Sequence, residues 1–224
     1  MLVDFPQLKE FEINPLFINE KEAFALDARG VINKEQVFTK PHEHLVISPY
    51  PEKYRSIWKL RDGRTVILRP IKPEDEPLWL EMFHNFSQES IHFRLFQTII
   101  EPVAHEFSAR YCNIDYDREL AIVAEMEEGG NRKMLGVVRL NIEPAENAGE
   151  VSFIVADPWQ GQGLGSKMVD YMIEICKDKE LEKIHAVMLP DNYRAIKLFQ
   201  EMGFTIESLD DGTQRATLNL KEGF

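Results

Sequence analysis

The residues with the most chemical content lie in one stretch, 151–166, which reads VSFIVADPWQGQGLGS. Its second half is Gln160, Gly161, Gln162, Gly163, Leu164, Gly165 and Ser166. It opens onto a helical pattern in which Met168, Val169, Met172, Ile173 and Cys176 recur at spacings of one, three and four. Such a turn presents several backbone N–H groups, and the helix start behind it adds its positive dipole end. Glycines let the main chain approach a bulky anion without a Cβ in the way. A phosphate or pyrophosphate site is therefore predicted at residues 160–166. The plain alternative is an ordinary strand-to-helix turn. The glycine spacing fits neither G-x-x-x-x-G-K-[ST] nor G-x-G-x-x-G, which argues against a P-loop and a dinucleotide fingerprint.

The elements that must hold this turn can be read on either side of it. Residues 151–156 form an apolar run with no polar face, the pattern of a strand buried on both sides. Asp157 and Pro158 stop it, since proline cannot donate to a ladder. Downstream, Asp191, Asn192, Tyr193, Arg194 and Ala195 lead into Leu198, Phe199, Gly203 and Phe204, a helix followed by a strand.

These two motifs carry a resemblance. The Q-x-x-G-x-G at 160–165 is similar to the acyl-CoA pyrophosphate loop of the GCN5-related N-acetyltransferase (GNAT) family. The N-x-x-A-x-x-L-F-x-x-x-G-F run at 192–204 resembles that family's last helix and next strand. The resemblance covers about residues 61–220, and 60–96 is similar to the terminal domain of bacterial protein lysine acetyltransferases. It implies a mixed α/β (α+β) fold, with a mostly antiparallel twisted sheet flanked by helices. It also implies transfer of an acetyl group from acetyl-CoA to an amine, with no metal.

An amine must lose a proton before it attacks, and a lysine near pKa 10.4 is almost wholly protonated at neutral pH. A base and oxyanion donors are needed. The resemblance places the catalytic glutamate at Glu150, with Glu143 as fallback. A strand-edge carboxylate paired with Lys or Arg is the competing reading. By position Phe153, Ile154 and Val155 would pair with the pantetheine arm, and the N–H of Ile154 or Val155 would meet the oxyanion. Asn192 would meet the same arm, or simply cap a helix. Many family members have a thiolate-protonating Tyr where Phe199 stands, so Tyr193 is the candidate acid here; packing under the cofactor is its other reading.

The rest of the chain reads in order. Strands at 56–60 and 65–70 are joined by Asp62-Gly63. Three helices follow: one opened by Pro73, one capped by Ser87, and one over 102–112. Strands are then expected at 119–126, 134–142 and 150–156, a helix to Lys177, a strand at 184–189, a helix at 192–202, and final strands at 204–209 and 214–220. Residues 51–224 form the predicted acetyltransferase domain. Residues 30–60 are read as a linker, in which Pro41, Pro49 and Pro51 interrupt any helix. His42 and His44 lack a third ligand of matching spacing and read as linker imidazoles.

Near the start, alternation at Phe11 and Ile13 predicts a strand, with 24–28 as its hairpin partner. Residues 12–16 (Glu-Ile-Asn-Pro-Leu) and an ALDAR-like strand at 25–29 resemble the tail of the ATP-grasp domain in NDP-forming acyl-CoA synthetases. There the matching Glu and Asn would hold Mg²⁺. With no nucleotide-binding lobe in view, Glu12 and Asn14 are expected to bind no ATP, and residues 1–50 are read as a remnant plus linker. An acyl-CoA synthetase-like region before an acetyltransferase domain is also the order seen in the bacterial lysine acetyltransferases.

The 224 residues are 44% hydrophobic, enough for a real core, and the net charge is −12. The charge argues against sequence-independent nucleic-acid binding and suits a cationic partner or simple solubility. No apolar run has membrane-span length and no signal peptide is evident, so a cytoplasmic protein is expected. Cys112 and Cys176 read as buried free thiols. The expected partner is a protein bearing an acceptor lysine, an acyl-CoA synthetase among the candidates; a second copy or a synthetase-like chain are the assembly partners considered. A small-molecule amine acetyltransferase and a non-catalytic acyl-CoA sensor are the alternative functions.

Overall fold

Residues 3–33, 35, 45, 47–60, 62–96 and 105–221 are described by the computed structural model. The chain divides into two compact units, Met1–Pro49 and Tyr50–Phe224.

In the first unit the strands are β1 (Leu8–Ile13), β2 (Leu16–Ile18), β3 (Ala23–Ala25) and β4 (Ala28–Ile32). β1 pairs with β4 and, nested inside them, β2 pairs with β3, both antiparallel. The expected single strand at 24–28 is thus two strands with a break at Leu26 and Asp27. Pro15, which has no N–H to donate, faces that break. Its carbonyl accepts from Leu26 N–H at 3.1 Å, and Asn14 N–H donates to Asp27 O at 3.1 Å. Asn19 closes the inner hairpin, its Oδ1 accepting from the N–H groups of Lys21 and Glu22, both at 2.8 Å. Residues 30–32, expected in the linker, instead belong to β4. Glu12 and Asn14 are exposed. His42 and His44 lie outside the described residues.

The second unit contains β5 (Ser56–Lys59), β6 (Thr65–Pro70), α1 (Glu76–His84), α2 (Gln88–Leu95), α3 (His105–Cys112), β7 (Glu119–Glu128), β8 (Asn131–Glu143) and β9 (Ala148–Val155). It continues with α4 (Leu164–Asp178), β10 (Lys183–Met188), α5 (Tyr193–Glu201), β11 (Thr205–Ser208) and β12 (Gln214–Asn219). The strands form one sheet in the order β11-β12-β10-β9-β8-β7-β6-β5. Only β9 and β10 run parallel; the other neighbours are antiparallel, giving the mixed α/β architecture expected. Pro73 opens a 3-10 turn, Pro73–Asp75, before α1 proper. Ser87 caps α2 as its type and place predict, its side chain accepting from Ser90 N–H.

Helices cover both faces of the sheet. Leu164, Met168 and Met172 of α4 and Phe199 of α5 share one core with Leu140 and Val151. On the other face α1 and α3 supply an aromatic stack: Trp79 lies 5.0 Å from Phe83 and 5.0 Å from Tyr111. Cys112 and Cys176 are buried and free, and burial pushes both thiols up to about 12. One buried ionic network ties β6 to its neighbours. Arg69 is 7% exposed; it donates to Asp75 (2.6 and 2.7 Å) and to Glu125 (2.5 Å), and Arg132 also donates to Glu125 at 2.6 Å. Tyr54 OH and Lys53 Nζ both donate to Asp178, pinning the segment before β5 to the end of α4.

Candidate active site

β9 is bonded to β8 along its whole length, but its parallel pairing with β10 stops after Ala148–Lys183, Gly149–Ile184 and Glu150–His185. Beyond those pairs the two strands diverge. Phe153 of β9 and Phe199 of α5 meet edge to face at 5.9 Å, and Phe199 meets Phe204 at 4.8 Å, an aromatic wedge under the gap. The divergence opens a cleft of about 810 Å³, floored by residues 150–155 on one side and 186–188 on the other.

The parity of β9 decides which main-chain groups face this cleft. Ala156 N–H donates to Leu135 O at 2.8 Å, toward β8. In an antiparallel ladder every second residue points the same way, so Ile154 and Ser152 also turn their N–H and C=O groups to β8. Val151, Phe153 and Val155 turn theirs to the cleft. The Val155 carbonyl does receive a donor from that side, Gln160 Nε2 at 3.0 Å. Ile154 N–H is therefore misplaced for an oxyanion in the cleft, which corrects one of the two expected donors. Ile154 still lines the cleft, as do Ser152 and Phe153. These residues are half-buried, so the apolar run is not buried on both sides as its composition predicted.

At the far end of β9 the chain turns through Asp157–Trp159 into the glycine segment. Gly161 and Gly163 have φ of +71° and +85°, which L side chains resist. Gly163 is the N-cap of α4 and supplies no side-chain cap, so the first N–H groups of the helix are open to an anion. Gly161, Gly163, Gly165 and Ser166 line the cleft. Leu164 does not: it is fully buried, and its side chain belongs to the core. Gln162 turns back and donates to Pro158 O at 3.0 Å.

Gln160 is committed to the protein. Its Nε2 donates to Ser90 Oγ, Val155 O and Asp157 Oδ1, and its Oε1 accepts from Arg194. Asp157 completes the clasp by accepting from Ser87 N–H at 2.6 Å and Ser90 Oγ at 2.5 Å. The glycine turn is thus fastened to the start of α2. Gln160 lines the cleft, and these bonds fix its side chain to the turn and to α2.

Across the cleft, Asn192 Oδ1 accepts from Ala195 N–H at 3.2 Å and caps α5, one of the two roles expected of it. Tyr193 stands 75% exposed at the cleft rim. Phe199, at the position where the resemblance implies a Tyr in many family members, is 2% exposed. Arg194 and Lys197 also line the cleft and bring two cations to it. Sequence reasoning missed them, although their i, i+3 spacing puts both on one helix face.

Glu150 is half-buried at the closed end. Its carboxylate, that of Glu143 and the His185 ring come within 4.8 Å of one another, and His185 Nε2 lies 3.8 Å from Glu143 Oε1. Among the described residues no Lys or Arg makes an ion pair with Glu150, so the structural-pair reading of this carboxylate has no partner. The arrangement offers an open strand edge, a set of N–H groups at one end, and a carboxylate–imidazole cluster at the other.

Comparison with known proteins agrees with this geometry. The Acetyltransferase (GNAT) family profile matches residues 79–204. A Pseudomonas aeruginosa acetyltransferase is 28% identical over 156 residues, 69% of this chain and 83% of its own length. The Mycolicibacterium smegmatis acetyltransferase Pat is 25% identical over 191 residues; these make up 84% of this chain, which spans only 54% of that relative. The crystal structure of the GNAT domain of S. lividans PAT superposes with a TM-score of 0.68 at 26% identity, covering 76% of this chain and 99% of that domain. The divergent strands, the glycine turn and the extent of the family match lead to one conclusion: the chain belongs to the GNAT family, and it is an N-acetyltransferase.

Proposed function

We propose that the enzyme moves an acetyl group from acetyl-CoA to the ε-amine of a protein lysine, with Glu150 as the base. The observation that carries this reading is the unpaired cleft-side edge of β9, bounded by Glu150 and by the glycine turn. Five residues of strand span about 17 Å, a length suited to an extended pantetheine arm. Acetyl-CoA would supply the thioester. Its pyrophosphate would rest on the open N–H groups at Gly161, Gly163, Gly165 and Ser166, near Arg194 and Lys197, and Phe153 and Val155 would pair with the arm.

Glu150 takes the proton from the incoming ammonium, directly or through water, and passes it toward His185 and Glu143. The freed lone pair forms the new C–N bond at the thioester carbon. Phe153 N–H, three residues from Glu150 on the cleft edge, donates to the carbonyl oxygen as it gains charge, while Val155, nearer the glycine turn, pairs with the arm. The C–S bond then breaks with its electron pair on sulfur, and Tyr193 is the hydroxyl at hand to protonate it; a thiol near pKa 8.5 can also leave as its anion. Protein lysine as acceptor is supported by the relatives named Pat and PAT and by the acidic balance of the chain.

The test is thiol release with acetyl-CoA on lysine peptides and on free amines, wild type beside Glu150→Gln. General-base loss lowers kcat by about 10²–10⁴, with the KM for acetyl-CoA little changed. Turnover on free amines alone would replace the lysine reading with a small-molecule one. Acetyl-CoA binding without any turnover would make the chain an acyl-CoA sensor.

A further inference from the structure

Arg94 stands in the last turn of α2 and reaches two cavities. It lines the main cleft with Glu150 and Ser152, and a smaller space behind it with Tyr111, Arg139 and Ile154. Its neighbour Arg139 is fully engaged. One nitrogen of Arg139 donates to Glu119, another donates to Tyr111 O at 2.6 Å, and the guanidinium lies 5.1 Å over the Tyr111 ring. Arg94 has none of this: among the described residues it donates no hydrogen bond and makes no ion pair. Burial disfavours its charged form, Tyr111 and Glu150 favour it, and Arg139 adds repulsion. A guanidinium cannot relieve such a position by losing its proton, and an unpaired, partly desolvated charge is costly. Its fork of donors fits a carboxylate with two parallel hydrogen bonds.

The position tells where that carboxylate would come from. Arg139 is the register partner of Ser152, and Asn141 that of Glu150. Arg94 shares the smaller space with Arg139 and Ile154 and the main cleft with Ser152 and Glu150; Ser152 is two residues, roughly 7 Å, from Glu150 along the strand. The phosphates of the co-substrate belong at the glycine turn, beyond Val155. Resting on the function proposed above, we infer that Arg94 selects acceptors that carry a carboxylate about one residue from the reacting amine, such as a lysine flanked by Asp or Glu.

The experiment uses the whole chain, acetyl-CoA, and three lysine peptides that differ only in an Asp, Ala or Lys beside the acceptor. Two small amines, an amino acid and its amide, are run in parallel. Wild type, Arg94→Gln and Arg94→Glu are compared, with the melting midpoint of each variant as a check on folding. A charge-assisted hydrogen bond predicts that wild type favours the Asp peptide over the Ala peptide by about tenfold or more in kcat/KM, mainly through KM. Arg94→Gln brings the ratio near one, and Arg94→Glu inverts it toward the Lys peptide. A wild-type ratio near one, an unchanged ratio in both variants, or an equal loss on every acceptor overturns the inference. If only the small amines react, the protein-lysine reading falls, while the acid-to-amide ratio still judges Arg94. No turnover on any acceptor overturns both.

Discussion

Asp157→Ala is the perturbation that asks most of this structure. The carboxylate holds Ser87 N–H, Ser90 Oγ and Gln160 Nε2 at 2.6, 2.5 and 2.9 Å. A hydrogen bond to a charged group contributes about 1.5–3 kcal/mol. Three such bonds cannot simply be summed, because Gln160 and Ser90 stay bonded to each other at 3.1 Å and the half-exposed site lets water take part of the load. A net loss of about 2–4 kcal/mol follows, or about 5–15 °C in melting midpoint for a unit of this size. The same substitution loosens the glycine turn, so the Kd for acetyl-CoA rises by about tenfold, as about 1.4 kcal/mol requires. Asp157→Asn keeps one acceptor and recovers about half of both losses. Thermal denaturation and calorimetric titration measure the two effects separately. A lowered melting midpoint with unchanged acetyl-CoA affinity would refute the idea that the clasp shapes the binding turn. No change in either would show that the clasp contributes nothing.

Three further outcomes are expected. Burial alone would raise the Asp75 carboxyl, but hydrogen bonds from Arg69 and Lys72 N–H and the charges of Arg69 and Arg132 hold it below the usual aspartate range. Its folded pKa is depressed, so its stabilisation is present above the unfolded value of about 3.9 and fades as pH falls through the folded one; Asp75→Asn, costing about 3–5 kcal/mol, should flatten that part of the stability–pH curve in urea titrations. A Cβ at Gly136 would fall 2.8 Å from Ile154 O and 3.3 Å from Val155 Cα, pushing β9 off β8, so Gly136→Ala should cost about 1–3 kcal/mol, read from the urea midpoint. Arg194→Gln should weaken acetyl-CoA binding about three- to tenfold at low salt and much less at high salt, since this guanidinium is exposed and screened.

What could be read in advance was local. The apolar run, Pro158 and the glycines located β9, the turn and the start of α4. Ser87 located α2, and Asn192 located α5. The features that had to wait are set by distant pairing. Which N–H groups of β9 face the cleft depends on its register with β8, so the sequence of β9 could not separate Ile154 from Val155. Gln160 has the same amide whether it turns to a ligand or to Ser90, and only the proximity of α2 decides. His185 reaches Glu150 through a parallel pairing, and Arg94 through the packing of α2 over the sheet. The resemblance of residues 12–16 to an ATP-grasp tail left the break at Pro15 unforeseen, because a strand run shows no register before its partner is known.

The short β9–β10 pairing also has a mechanical side. The sheet is two plates, β11-β12-β10 and β9-β8-β7-β6-β5, riveted by three residue pairs. If the plates flex to admit or release a guest, the displacement grows with distance from the rivets, as at the open end of a pair of tongs. Glu150 is in the last riveted pair, so the carboxylate stays nearly still while the glycine turn makes the larger excursion. Breathing of the gap can then serve loading and unloading without disturbing the spacing between Glu150 and its two neighbours at the pivot.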